Sequence, residues 1–302
     1  MNDLITIIIP TFDTPIRLEQ SVKSVQGQTF SNWELIVVDD NAPCTLARRQ
    51  TEMLMSRLLS KDERIIYLQH ESNKNGSAAR NTGIAHARGK YIAFLDSDDE
   101  YAPRRIEQCL RTMERVDENV AGVYTGCEFR REGKMYHTEK NVKSGNFLVE
   151  TLACTFMFCT GSNLFIRKSV IDELHGFDEA FVRHQDYEFL VRLFERGYSL
   201  EAIPEVLVVK NNENKNLPNV EKQIEIKLQY LEKYKDIIES QPSCQYNFIY
   251  HKQCISVAEA ALRSGNLHVS KEYYAKSGVY GRMTVRERMR RIVFMLLSLI
   301  GR

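Results

Sequence analysis

Residues 5–9 form an unbroken run of β-branched and apolar positions ended by Pro10, the pattern of a strand buried on both faces. Beyond it the period changes. Thr14 and Pro15 suit a helix start, and Leu18, Val22 and Val25 recur at i, i+4 and i+7 on one helix face. The alternation then repeats. A strand over 34–38 (ELIVV) runs into Asp39-Asp40, and a helix carrying Leu46, Met53, Leu54 and Leu58 follows. A strand over 64–68 leads to an Ala-rich helix over 76–88, closed by Gly89 as a C′ glycine. A fourth strand over 91–95 runs into Asp96-Ser97-Asp98-Asp99. Strands alternating with helices in this way predict βαβ units, a parallel sheet and an α/β fold.

The middle of the chain is less regular. Segments 120–129 and 147–152 read as strands or short helices, and 163–166 as a strand before a helix starting near Ser169. A helix is expected over 186–196, with Phe189, Leu190 and Leu193 apolar, then a polar, Asn-rich loop over 211–219. From Val220 onward the pattern is helical, with a break at Gln241-Pro242-Ser243. Composition adds little: 43% hydrophobic and 27% charged residues are ordinary for a soluble enzyme. The formal net charge of +1 gives no global field for nucleic acid, so no nucleic-acid partner is expected. The seven cysteines are irregularly spaced without a C-x-x-C pair, which argues against zinc and for thiols in a reducing cytosol. The start, Met1-Asn2-Asp3-Leu4, lacks a signal-peptide pattern, and no apolar run reaches the ~20 residues of a membrane span. A cytoplasmic location is expected.

Ligands of open parallel sheets sit at the C-terminal strand ends, and here two such ends are acidic. Asp96, Asp98 and Asp99 repel one another at the exit of a buried strand unless a cation or several donors compensate. Hard oxygen ligands of this kind suit Mg²⁺ or Mn²⁺ beside substrate phosphates; the alternative is a solvated turn with Asp98 or Asp99 capping the next helix. Asp39-Asp40 could accept hydrogen bonds from a base or ribose, or serve a turn. Between the two clusters, Asn75-Gly76 and Arg80 offer a flexible backbone and a phosphate-binding cation.

The ordered set Ile7-Ile8-Ile9-Pro10-Thr11-Phe12, Val37-Val38-Asp39-Asp40, Asn75-Gly76 through Arg80-Asn81-Thr82-Gly83, and 91–99 (YIAFLDSDD) resembles the N-terminal half of the family two inverting glycosyltransferases of the GT-A fold. Thr160-Gly161-Ser162-Asn163, Gly176-Phe177-Asp178-Glu179 and His184-Gln185-Asp186-Tyr187-Glu188-Phe189 resemble that family's acceptor-side segments, and the likeness spans roughly residues 4–210. It implies a Rossmann-like, mostly parallel sheet flanked by helices. The expected domains are a catalytic one over 1–215 and a helical extension over 216–302. The first divides into a nucleotide-sugar half (1–100) and an acceptor half (101–215).

The resemblance also implies roles. Thr11 and Phe12 lie beside the nucleoside, Asp40 or its neighbour Asp39 holds the base, and Arg80 lies near the donor phosphates. Asp96 and Asp98 form the D-x-D pair, with Asp98 in direct contact with Mg²⁺ or Mn²⁺, and Asp186 is the catalytic base. The implied donor is a nucleotide sugar, a UDP-sugar in the first instance. The implied acceptor is a surface glycan or lipid-linked saccharide. Direct displacement needs one general base and no nucleophilic residue; Asp186 also reads as an N-cap of the helix that follows it, and both roles can hold at once. Gln185 stands where relatives often carry Glu. The family's R-x-H element is replaced by Lys210-Asn211-Asn212, where Lys210 and Asn212 are the candidate stand-ins. The Q-x-x-R-W element of processive members is absent, and the single tryptophan is Trp33, so one sugar per acceptor is expected.

Two rival functions carry different signatures. A nucleotidyltransferase would place a Gly-rich, basic loop after the first strand, where this chain has Thr11-Phe12-Asp13-Thr14-Pro15. A non-catalytic glycan- or nucleotide-binding module would bind a donor without turning it over. Finally, Thr284-Val285-Arg286-Glu287 is a capping box. The helix it opens has Val285, Met289, Ile292, Leu296 and Leu299 on one face, with Arg282, Arg286, Arg288, Arg290 and Arg291 crowded into its first half. Its apolar stretch, 292–300, is only about 14 Å long against a bilayer core of about 30 Å. It is expected to lie on the cytoplasmic face of a membrane, or else to pack on the protein's own core or on a second subunit of a homo-oligomer.

Overall fold

A computed structural model describes residues 3–140, 142–159, 161–211 and 219–300, with the side chains of Val220 and of 297–300 outside the description. The first hundred residues build β1 (Ile5–Thr11), α1 (Pro15–Gln26), β2 (Trp33–Asp39), α2 (Leu46–Leu59), β3 (Ile65–Gln69), α3 (Gly76–His86) and β4 (Tyr91–Phe94). Then come β5 (Glu100–Tyr101), α4 (Arg105–Met113), β6 (Val120–Arg131), β7 (Lys134–Glu139) and α5 (Leu148–Leu152). β8 (Phe165–Arg167), α6 (Lys168–Glu173), α7 (Gln185–Glu195) and β9 (Ser199–Asn211) follow. The helices α8 (Val220–Lys233), α9 (Lys235–Glu239), α10 (Ser243–Arg263), α11 (Leu267–Tyr280) and α12 (Val285–Ile300) complete the chain.

Contacts divide the chain into two compact units, 1–146 with 157–213, and 147–156 with 214–302. The first holds one sheet in the order β3-β2-β1-β4-β8-β6-β9-β5, with β7 on β6. β3, β2, β1 and β4 are parallel neighbours. The apolar runs of β1, β2 and β4 are buried on both faces, which is why these strands read as continuous hydrophobic segments. Beyond β4 the sheet is mixed: β8 runs antiparallel to both β4 and β6, while β6 and β9 are parallel. The register sets Thr11 opposite Asp39, and Ile8 opposite Phe94, so the chain leaves β1, β2 and β4 along one edge.

Of the two segments that read as strand or short helix, 120–129 is strand and 148–152 is helix. Other local expectations need correction. Leu46 and Met53 are exposed on α2, whose buried face uses Leu54, Met55 and Leu58. Thr14 takes the N-cap position and Pro15 opens α1, but the Thr14 hydroxyl bonds Ser97 Oγ at 2.6 Å and makes no capping hydrogen bond. α3 ends at His86, and Gly89 is not its left-handed cap. A Cβ on Gly89 would lie 2.5 Å from the Thr6 backbone nitrogen, so glycine there permits close approach to β1.

The second unit is helical. α10 packs against α11, α12, α8 and α5. Tyr230 Oη donates to Thr151 O at 2.9 Å and Gln253 Nε2 to Leu152 O at 2.7 Å, fastening 147–156 to this unit. Thr284 and Glu287 form the capping box: Glu287 N donates to Thr284 Oγ1 at 3.2 Å, and Thr284 N to Glu287 Oε2 at 2.6 Å. Lys252 pairs with Glu287 at 2.6 Å, and Arg290 with Glu259 at 3.1 Å, so α12 is tied down along its polar side. Its predicted apolar face is not buried: Val285, Met289, Ile292 and Leu296 are all more than half exposed.

Candidate active site

The site grows from the shared strand edge. Asp40 is buried and accepts hydrogen bonds from the backbone of Lys74 (2.8 Å) and Asn75 (2.9 Å), from Asn73 Nδ2 (3.0 Å) and from His70 Nδ1 (2.8 Å). It therefore shapes the turn that enters α3. Asn75 holds that turn at a φ of 95° and caps α3 by accepting from Ser77 N and Ala78 N. Asp39 is fully buried, bonded to Asn41 N (2.9 Å) and Tyr67 Oη (2.5 Å), with Arg48 Nε at 3.2 Å. Arg48 also donates to the carbonyls of Asn41 and His70. Both carboxylates thus organise the wall between the ends of β2 and β3. Thr11 is buried at the end of β1, while the Phe12 ring beside it is about half exposed.

At the end of β4 the three aspartates diverge. Asp99 is fully buried; it accepts from Ser162 Oγ at 2.6 Å and Asn211 N at 3.1 Å, and Lys210 Nζ lies 3.4 Å away. Burial lifts its pKa to about 7 against the pull of Lys210. Asp98 stays partly exposed, and burial together with Asp96 raises its pKa. Asp96 is bound by Arg80 Nη2 at 2.7 Å, with Lys210 Nζ at 3.9 Å. Burial works against the Lys210 ammonium, but Asp99, Asp96 and Asp98 outweigh it and raise its pKa.

Arg80 joins the two halves of the site. One terminal nitrogen holds Asp96, and the other donates to Gln185 Oε1 at 2.7 Å on the first turn of α7. Asp186 follows in that turn. It is not the helix cap, because His184 occupies that position in the left-handed region. Its Oδ1 is buried without a hydrogen-bond partner among the described residues. Burial raises the pKa of Asp186, while Arg80, Lys210 and the Gly161 N–H oppose the shift.

The turn at Gly161–Asn163, part of a segment the sequence resemblance singles out, is a hub whose partners no local period encodes. Ser162 Oγ accepts from Asp96 N at 2.9 Å while donating to Asp99. Asn163 ties β6 by donating to Thr125 O at 2.7 Å, and buried Arg105 donates to Asn163 Oδ1 at 3.1 Å and Ser162 O at 3.3 Å. Gly161 leaves room for Asp186, since a Cβ there would lie 2.6 Å from Asp186 Oδ1. The structure thus brings Arg80, Asp96, Asp98 and Asp186 to one locus with the candidate stand-in Lys210, and adds Ser162 and Gly161. Thr11, Phe12, Asp39 and Asp40 sit along the same edge. Asn212 and Thr160 lie outside the described residues.

A parallel half-sheet with acidic strand exits, joined to a mixed half that delivers a buried carboxylate, is the architecture of a GT-A glycosyltransferase. Residues 6–175 match the family described as glycosyl transferase family 2, and the chain belongs to that family. It is 24% identical to the GalNAc(5)-diNAcBac-PP-undecaprenol beta-1,3-glucosyltransferase of Campylobacter jejuni, over 98% of this chain and 93% of that protein. It is 34% identical to the Escherichia coli UDP-Glc:alpha-D-GlcNAc-diphosphoundecaprenol beta-1,3-glucosyltransferase WfgD, over 42% of this chain and 47% of that one. Among solved structures, it shares its fold with the mannosyltransferase PcManGT from Pyrobaculum calidifontis, in complex with GDP-Man and Mn²⁺. That likeness has a TM-score of 0.61 at 13% identity and covers 99% of this chain and 87% of that one.

Proposed function

We propose that the enzyme moves a single sugar from a nucleotide sugar, a UDP-sugar, to a lipid-linked saccharide, with inversion at the anomeric carbon. The observation that carries this reading is Asp186: a carboxylate with a raised pKa and an unbonded buried oxygen, one residue from the Gln185 that Arg80 connects to Asp96. Such a group takes a proton more readily than an ordinary aspartate. The nucleoside would lie against Thr11 and Phe12 beside the wall organised by Asp39 and Asp40. In the reaction the acceptor O–H passes its proton to Asp186 as its oxygen bonds the anomeric carbon. The bond from that carbon to the diphosphate breaks on the opposite face. Arg80 and Lys210 set positive charge near the departing diphosphate. The names of the two undecaprenol-linked glucosyltransferases support the acceptor class.

The donor set also suits a divalent ion. Mg²⁺ and Mn²⁺ commonly use one or two carboxylates plus substrate phosphates, and Asp98 with Asp96 offers that chemistry. When bound, the ion neutralises charge developing on the leaving group. Residues 1–215 would carry the transfer and 216–302 the helical extension. UDP release measured with and without a diphosphate-lipid-linked acceptor tests the reading. Acceptor-dependent release is expected, whereas tight UDP binding without turnover would leave a binding module.

We further propose that α12 rests on an anionic membrane surface. Among its described residues Val285, Met289, Ile292, Val293, Met295 and Leu296 are exposed, and Arg282, Arg286, Arg288 and Arg290 are exposed beside them. Removing 284–302 is expected to cut sedimentation with anionic vesicles at low salt at least severalfold while leaving donor hydrolysis intact. Failure of the full-length chain to sediment would leave that face for a second copy of the chain.

A further inference from the structure

Lys210 occupies an unusual place. It lies at the end of β9, more than a hundred residues from the acidic strand exit in sequence, and its ammonium stands 3.4 Å from Asp99 and 3.9 Å from Asp96. The next residue of β9 fixes it there, because Asn211 N donates to Asp99 at 3.1 Å and Asn211 Nδ2 to the Asp98 carbonyl at 2.8 Å. A cation is therefore built into the carboxylate cluster. Among the described residues, moreover, no three ligating side chains converge into a cage that would hold a metal by itself.

We propose that Lys210 is a resident cation that makes divalent-ion binding conditional on the nucleotide. This inference rests on the donor-site reading above. Before the donor arrives, Lys210 balances the charge of Asp96 and Asp99 and repels a second cation from Asp98, whose charge it also feels. The diphosphate brings negative charge and oxygen ligands of its own. Lys210 then gains a phosphate partner, and the ion gains enough ligands to bind beside Asp98. Lys210 is in this view a positioning residue that couples two ligands, and such coupling is reciprocal.

The test uses the full chain and titrates Mn²⁺ by calorimetry and by the electron paramagnetic resonance signal of unbound Mn²⁺, with and without saturating UDP. Wild type is expected to bind Mn²⁺ more tightly with UDP by a factor within the usual coupling range of about 5–150-fold. Lys210→Met should bind Mn²⁺ alone more tightly than wild type does and lose most of the UDP dependence. Lys210→Arg keeps the charge and should keep the wild-type pattern. If wild type binds Mn²⁺ equally well with and without UDP, the inference fails, whatever the Met variant does. If Lys210→Met matches wild type while UDP and Mn²⁺ still bind cooperatively, the inference fails and the donor-site reading stands. If wild type binds neither UDP nor Mn²⁺ in the presence of UDP, both fall together.

Discussion

Asp186→Asn is expected to lower kcat by about 10²–10⁴-fold, the usual worth of general-base catalysis, with little change in UDP affinity. The substitution keeps shape and the contact with the Gly161 N–H, and removes only basicity. A second consequence has the opposite sign. The folded environment raises the Asp186 pKa, chiefly through burial. A carboxyl raised on folding contributes stability that is fully present below its unfolded pKa and lost as pH rises through the folded one. At neutral pH the charged carboxylate is then a cost to the fold, so the Asn variant should melt at the same or a higher temperature than wild type. Loss of activity with gain of stability separates a working base from a structural carboxylate. The same shift orders the pH profile: the acid limb of kcat should lie above the ordinary carboxylate range, and activity should fall as pH drops through it. A variant that keeps most of its kcat would move the base elsewhere, with Glu188 or Asp178 next to be tested. Glu188 is the weaker of the two, because it is fully buried in a pair with Arg192 at 2.7 Å.

What could be read from the chain, and what could not, follows from the range of the interactions. The strands β1, β2 and β4 announce themselves because burial on both faces demands unbroken apolar runs. Their acidic exits become neighbours through parallel register alone, so a strand-end reading reaches Asp96 and Asp98 without knowledge of the rest of the sheet. The roles of Gly161, Ser162 and Lys210 are different. Ser162 meets Asp99 across 63 positions and Lys210 meets it across 111, through connections whose course no local period encodes. Arg105 misleads in another way. An arginine opening a helix reads as a surface residue, yet it is completely buried and spends its guanidinium on Thr125, Asn163 and the Ser162 carbonyl. The apolar stripe of α12 shows the converse, since a helical pattern predicted a face and said nothing of what covers it.

Gly161→Ala is expected to cost about 10² in kcat, although the residue carries no functional group. A new Cβ would stand 2.6 Å from Asp186 Oδ1 and 3.1 Å from its Cγ. Ordinary contact needs roughly 3.5 Å, so the carboxylate or the turn must give way by about 1 Å. A displacement of that size at a reacting group is enough for a loss of about 10²-fold. The turn has little freedom to absorb it, because Ser162 is held by Asp99 and by the Asp96 N–H, and Asn163 by Thr125 and Arg105. UDP affinity should change little. Gly278→Ala is the control: apart from its chain neighbours and its own helix backbone, no atom lies within 4 Å of its added Cβ, and it sits inside α11, where alanine should stabilise by roughly 0.5–1 kcal/mol. The decisive measurement is the double variant. If Gly161 acts only by making room for the base, then adding Gly161→Ala to Asp186→Asn should cost almost nothing further, because the group it would displace no longer takes a proton. Full additivity of the two losses would show that Gly161 serves the site by some route other than Asp186.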